Sequence, residues 1–342
     1  MKKAVITAKE TVELQEFPLP AIRDEQVLVK VKACGLCTFE QRYFTGGKEQ
    51  YPFNGGHEVC GVVEQVGQRV GSGLQPGDKV VVAAITRCGE CYYCQRGMDN
   101  MCANGGDNPV PDTLWGPGGL SEYMVAEGYQ VYKVSDSLDF AQGTIAEPLA
   151  CVLRSVQKAN VKYGDTALIT GAGIMGLLHV KVAKLSGLKV IITEVDEGRK
   201  AKALELGADL VVDPSKEDVV QAVKAATEGR GAEAVFYTAG GAKAAEQGIN
   251  ALCKGGTIVF YGAIYPKGTM SIDPNKIHYD EINFTGLVST TKESFRESAR
   301  MLSEGLIDVS PFISEQYPLE EIDKAFRRAV SPETYRVIVR MD

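Results

Sequence analysis

Four cysteines fall within fifteen residues, spaced Cys88-x2-Cys91-x2-Cys94-x7-Cys102. Thiolates separated by two residues on a tight turn can take neighbouring corners of a tetrahedron, and a fourth can arrive after a short loop. Such a closed set suits a structural zinc and leaves no position for a substrate. Gly89 and Gly97 supply the turning freedom that loops of this kind need. Four unrelated buried thiols would be the alternative, and the polar, loop-like surroundings speak against it.

A second constellation is Gly171-Ala-Gly173-Ile174-Met175-Gly176, after the apolar run Ala167–Thr170 and before an apolar stretch of helical period. Glycines here allow a tight turn, a close approach of backbone to a pyrophosphate, and close packing of helix on strand. The helix N-terminus then offers N–H groups to the phosphates. Glu194 ends the next strand-like run, 18 residues past Gly176. A carboxylate there can hold the ribose 2′ and 3′ hydroxyls and repels a 2′-phosphate, which points to NAD. The plainer reading is a glycine turn in an α/β domain that binds nothing.

The third set is scattered: Cys37, His57-Glu58 after Gly56, and Glu147 before Pro148. One thiolate, one imidazole and one carboxylate make an open ligand set for a catalytic zinc. Each taken alone is equally a core or structural residue. The chain has three histidines. His179 is expected to pack on the helix after the glycine loop, and His278 to face solvent or another subunit.

The elements that position these residues divide the chain. Before residue 150, short alternating runs (Val12–Phe17, Val27–Cys34, His57–Val66, Lys79–Ala84) read as strands between Gly, Pro and Asp turns. No helix is expected before Thr144. Thr38 and Phe39 are expected in extended backbone, with side chains on opposite sides. After Asn160, strand-like and helical runs alternate, which argues a parallel sheet covered by helices. Helices are expected at Lys292–Ser303 and Leu319–Ala329, with a strand at Val337–Arg340.

Over essentially its whole length the chain resembles the zinc-dependent medium-chain dehydrogenase/reductase family. The resemblance is carried by Gly56-His57-Glu58-x2-Gly61-x5-Gly67-x2-Val70, the four-cysteine lobe, Gly118-Gly119-Leu120-Ser121-Glu122-Tyr123, Glu147-Pro148-Leu149-Ala150 and the glycine loop, in that order. It implies a GroES-like β-barrel catalytic domain over 1–150 and 287–342, with a Rossmann NAD-binding domain over 151–286. It further implies that Cys37 and His57 bind the catalytic zinc, with Glu58 or Glu147 as the remaining protein ligand. The family's pocket tyrosine would be Tyr43. The cofactor would meet Gly171, Gly173, Ile174, Met175, Gly176, Glu194, Arg199 and Gly262.

Glu147-Pro148-Leu149 looks like the polyol, sorbitol-type branch. Three departures mark the pocket. Relatives usually follow the zinc cysteine with a hydroxyl residue two positions on, where this chain has Phe39 after Thr38. Arg42 stands where many relatives have histidine, and Leu287-Val288-Ser289-Thr290-Thr291 replaces a Phe-Arg-Tyr segment. The implied activity is zinc- and NAD-dependent oxidation of a secondary hydroxyl on a polyol or cyclitol-like substrate, with two zincs per chain. Rival readings are an amino-alcohol or polyol-phosphate dehydrogenase, for which Arg42 would favour an anion, and a dinucleotide-binding relative without catalysis.

The 342 residues carry 37 basic and 44 acidic side chains, a net charge of −7, with 44% hydrophobic and 24% charged residues. That balance lacks the basic footprint that nucleic acid or an anionic membrane requires. No apolar run reaches the roughly 18 residues a membrane span needs, and the N-terminus lacks a signal-peptide core. Nine cysteines in a large chain favour metal and catalysis over a disulfide framework. A cytoplasmic homo-oligomer, dimer or tetramer, is expected.

Overall fold

The computed structural model describes residues 1–106, 114–264 and 267–341. These divide into two compact units, one formed by residues 1–150 with 290–342 and the other by 151–289. Among the described residues no helix is long and apolar enough to cross a membrane.

The first unit is built on a mainly antiparallel sheet in the order Ile313–Pro318, Arg336–Arg340, Gln26–Gly35, Glu58–Val66, Lys79–Ala83, Val131–Lys133, with Tyr123–Glu127 also pairing Gln26–Gly35. The alternating apolar residues Val27, Val29 and Val31 enter one core with Val80, Val82, Phe44 and Phe326. The strand Gln26–Gly35 ends one residue before Leu36, and Glu58–Val66 begins directly after His57. Their antiparallel register sets Gly35 opposite Glu58. Chain topology therefore brings Cys37 and His57 to one end of the sheet.

Helices do occur before Thr144, contrary to the sequence expectation: Thr38–Phe44, Tyr92–Gln95 and Phe140–Gly143. Thr38 and Phe39 thus lie on a helix rather than in extended chain. Both favour strands by propensity, but tertiary packing overrides that weak preference. Tyr43 and Phe44 on this helix are buried, and Phe44 stacks on Phe326 at 4.9 Å. Phe140–Gly143 starts where the Asp139 carboxylate accepts the N–H groups of Ala141 and Gln142.

The second unit holds six parallel strands in the order Leu210–Val212, Lys189–Thr193, Thr166–Thr170, Ala232–Tyr237, Leu252–Phe260, Asn283–Gly286. All five residues of Thr166–Thr170 are buried, as a strand covered on both faces requires. The strand order changes direction beside Thr166–Thr170, the position at which open α/β sheets form their ligand crevice.

Candidate metal centres and cofactor cleft

The ligand atoms of Cys88, Cys91, Cys94 and Cys102 all lie within 4.8 Å of one another. Sulfurs at tetrahedral corners around zinc, with bonds of about 2.3 Å, stand roughly 3.8 Å apart. Cys102 Sγ lies 3.5 Å from Cys88 Sγ and 3.9 Å from Cys91 Sγ, and none of the four forms a disulfide. Backbone N–H groups of Glu90 and Cys91 lower the Cys88 thiol below its ordinary pKa, which favours the ligating thiolate. The set fits zinc. Its lobe is tied down by a buried ion pair, Arg87 Nε to Asp99 Oδ2 at 2.8 Å. Arg87 Nη2 also donates to the Thr290 carbonyl at 2.7 Å, and Lys292 N donates to Asp99 at 3.1 Å.

The second cluster is assembled from three parts of the first unit. Cys37 caps the helix Thr38–Phe44, while His57 immediately precedes the strand that Glu58 opens. Glu147 lies in the first turn of the helix Ala146–Lys158, whose Ala146 carbonyl accepts the Ser298 hydroxyl at 2.7 Å. Ligand atoms of His57, Glu58 and Glu147 fall within 4.8 Å of one another, as do those of Cys37, Glu40 and His57. His57 Nδ1 is 2.7 Å from Glu40 Oε1, an oxygen that also accepts the Gly56 N–H at 3.0 Å. With Nδ1–H committed to a carboxylate, Nε2 keeps its lone pair for a metal. This donor set fits an open zinc site.

The two glutamates differ in their surroundings. Glu58 is fully buried, and Arg336 Nη2 stands 2.8 Å from its Oε1 while Arg336 Nη1 donates to the Leu36 carbonyl at 3.0 Å. Burial pushes the Glu58 carboxyl up to about 7, with Glu147 and Glu40 adding and Arg336 and His57 opposing. Glu147 is only half-buried. At His57 burial disfavours the charged form, but Glu40 and Cys37 outweigh it and raise the pKa well above the ordinary value.

Phe39 is half-buried, edge-on to His57 at 5.6 Å and packed on Tyr43 and Phe53. Tyr43 is 2% exposed, stacked on Phe53 at 3.7 Å, with its hydroxyl taking the Trp115 indole N–H at 3.3 Å. Its hydroxyl is thus held within the packed aromatic cluster behind Phe39. Thr38 is exposed. Glu40 and Arg336, which hold His57 and Glu58, are not among the site residues expected from the sequence. Glu40 could have been suspected, because it lies three residues after Cys37 and so within one helical turn of it.

The glycine loop forms one wall of a cleft of about 480 Å³ lined also by Glu194, Val195, Arg199, Ser215 and Lys243. A Cβ on Gly176 would fall 1.9 Å from the Gly171 carbonyl oxygen, so helix and strand pack closely only with glycine there. Beside Gly173 a Cβ would meet nothing within 4 Å, and this residue caps the helix Ile174–Leu185 without any side-chain partner. Open space and unsatisfied N–H groups together fit a pyrophosphate. Ile174 and Met175 form the first positions of that helix. Glu194 accepts the N–H groups of Ala172 at 2.8 Å, Val195 at 2.7 Å and Asp196 at 3.1 Å, so the carboxylate is fixed at the cleft. Gly262 donates its N–H to the Tyr237 carbonyl. His179 is buried, bonded through Nδ1 to the Met175 carbonyl at 2.7 Å and through Nε2 to Ser155 Oγ at 2.9 Å.

The family models for an alcohol dehydrogenase GroES-like domain and a zinc-binding dehydrogenase match residues 23–136 and 175–304. An L-threonine 3-dehydrogenase of Pyrococcus abyssi is 33% identical over 95% of this chain and 94% of its own length. A sorbitol dehydrogenase of Halalkalibacterium halodurans is 30% identical over the same shares. The crystal structure of 2R,3R-butanediol dehydrogenase from Bacillus subtilis superposes with a TM-score of 0.88 at 27% identity, covering 100% of this chain and 99% of that one. This chain belongs to the zinc-dependent alcohol dehydrogenase family within the medium-chain dehydrogenases/reductases. It is an oxidoreductase acting on alcohols, with zinc and a nicotinamide dinucleotide as cofactors.

Proposed function

We propose that the chain oxidises a secondary hydroxyl of a polyol or cyclitol-like substrate to the ketone, reversibly, with NAD as hydride acceptor and two zincs per chain. The observation that carries this reading is the pair of ligand groups that meet at His57, one with Cys37 and Glu40 and the other with Glu58 and Glu147, with His57 oriented by Glu40. Zinc held there would supply a Lewis acid that lowers the pKa of the carbinol. Cys37, His57 and Glu147 are its proposed ligands, and Arg336 retains Glu58 behind them. Phe39 walls the pocket with a surface that can neither donate nor accept a proton. The proton therefore leaves toward a carboxylate, reached through a water, rather than toward a hydroxyl at position 39. NAD supplies the carbon that takes the hydride. Glu194 favours NAD, because a 2′-phosphate would meet its carboxylate at close range.

A panel of sugar alcohols, cyclitols and their phosphates, read by NADH absorbance with zinc-loaded enzyme, tests the reading. Turnover is expected with NAD and is expected to fall sharply with NADP, and Glu194→Ala should erode that preference. Absence of turnover across the panel in protein of full zinc content would overturn it.

A further inference from the structure

Lys48 follows the helix Thr38–Phe44, with its N–H bonded to the Arg42 carbonyl at 3.0 Å. The residue is exposed, yet its ammonium lies over the Phe39 ring, 4.6 Å from the centroid, and 5.3 Å from that of Tyr43. Among the described residues it forms no ion pair within 4.0 Å. Phe39 in turn stands 5.6 Å from the His57 ring, so the two separations laid end to end put the ammonium at most 10.2 Å from that imidazole.

An aromatic face holds a cation without using its N–H donors. The three donors of Lys48 remain available to a group beside the ring. The buried cation nearest the His57 ligand groups, Arg336, is committed to Glu58, so it is not free to meet a substrate's charge. A neutral polyol can offer the Lys48 ammonium only a hydroxyl oxygen, the weaker acceptor. A substrate whose far end is anionic gains a charge-assisted contact.

We propose that Lys48 anchors a terminal phosphate monoester, so that the alcohol oxidised is a phosphorylated polyol. This rests on the dehydrogenase reading above and narrows it. Lys48 is a specificity-determining residue and takes no part in hydride or proton transfer.

The test uses the zinc-loaded full chain with NAD. Four- to six-carbon polyols are each compared with their terminal phosphate monoester and with the aldonate of equal length. The wild type should favour the phosphate by about two- to fivefold in kcat/KM, the scale of one charge pair at an exposed site. Lys48→Met should remove most of that preference, chiefly through KM, and Lys48→Arg should restore it. The ratio is insensitive to any general loss of folded or metal-loaded enzyme. Added salt should erode it in the wild type. Calorimetric binding of inorganic phosphate should weaken in Lys48→Met, independently of turnover. Equal use of polyol and phosphate, preference for the aldonate, or a phosphate preference that survives in Lys48→Met overturns the proposal and leaves the dehydrogenase reading standing. Lys48-dependent phosphate binding without turnover of any alcohol overturns both the dehydrogenase reading and the phosphorylated-polyol assignment that rests on it.

Discussion

Glu40 Oε1 binds His57 Nδ1 at 2.7 Å and the Gly56 N–H at 3.0 Å, so one buried oxygen orients the imidazole and pins the loop that carries it. Gly56 can approach so closely because it has no side chain. Its φ of 99° suits glycine, and a Cβ there would fall 2.4 Å from the Leu120 nitrogen.

Glu40→Gln keeps the shape and an acceptor but removes the charge that strengthens His57 as a ligand. Outer-shell changes of this kind cost about 10–100-fold in metal affinity or activity. The variant should lose the zinc of the Cys37–His57 site during mild chelation while the four-cysteine zinc stays. Zinc content after dialysis checks this, and retention equal to wild type would remove Glu40 from the metal's support.

The glycine loop was legible because its signal is local: a strand run, three glycines and a helical period follow one another within twenty residues. The four-cysteine lobe was legible for the same reason. Cys37 to Phe39 was misread because Thr38 and Phe39 favour strands, while the helix is stabilised by Tyr43 and Phe44 in a core that local periodicity cannot reveal. Arg336 was invisible because it reaches Leu36 across 300 residues of chain, and its pairing with Glu58 exists only once the sheet has formed.

Cys94→Ser should damage the fold rather than merely slow turnover. The lobe presents Tyr92, Tyr93, Met98 and Met101 to solvent, so little apolar burial holds it together. It relies on the metal and on the Arg87–Asp99 pair at its base. Structural zinc contributes directly to folding free energy. The expected outcome is loss of one zinc per chain and a clear fall in Tm, and an unchanged Tm would show that the lobe does not need its metal.

His179 sets a pH dependence of stability in the second unit. Burial depresses its pKa to about 4, with the bond to the Met175 carbonyl opposing. In the unfolded chain its pKa is about 6.5. Between these values the unfolded state binds a proton that the folded state refuses, so stability falls as pH drops from about 6.5 to 4 and levels off below. The full effect is of order 3 kcal/mol. His179→Gln cannot titrate and should show a shallower decline in Tm over that interval, and parallel declines would put the titration elsewhere.

Three substitutions at the catalytic cluster separate structure from chemistry. Glu58→Gln leaves Arg336 buried without its counter-ion, and breaking such a pair by removing one partner costs about 3–5 kcal/mol. Its dominant effect should therefore be a lower Tm. Glu147 is half-buried whereas Glu58 is fully buried against Arg336, so Glu147→Gln should lower Tm less than Glu58→Gln. Turnover of Glu147→Gln should fall by about 10²-fold or more, the scale of a lost general base or ligand. Thr38 is exposed on the first position of its helix. Thr38→Val should keep turnover within a few-fold of wild type by the same scale. Steady-state kinetics beside thermal melts distinguish the three, and a Thr38→Val loss larger than that of Glu147→Gln would move the proton route to the hydroxyl one residue before Phe39.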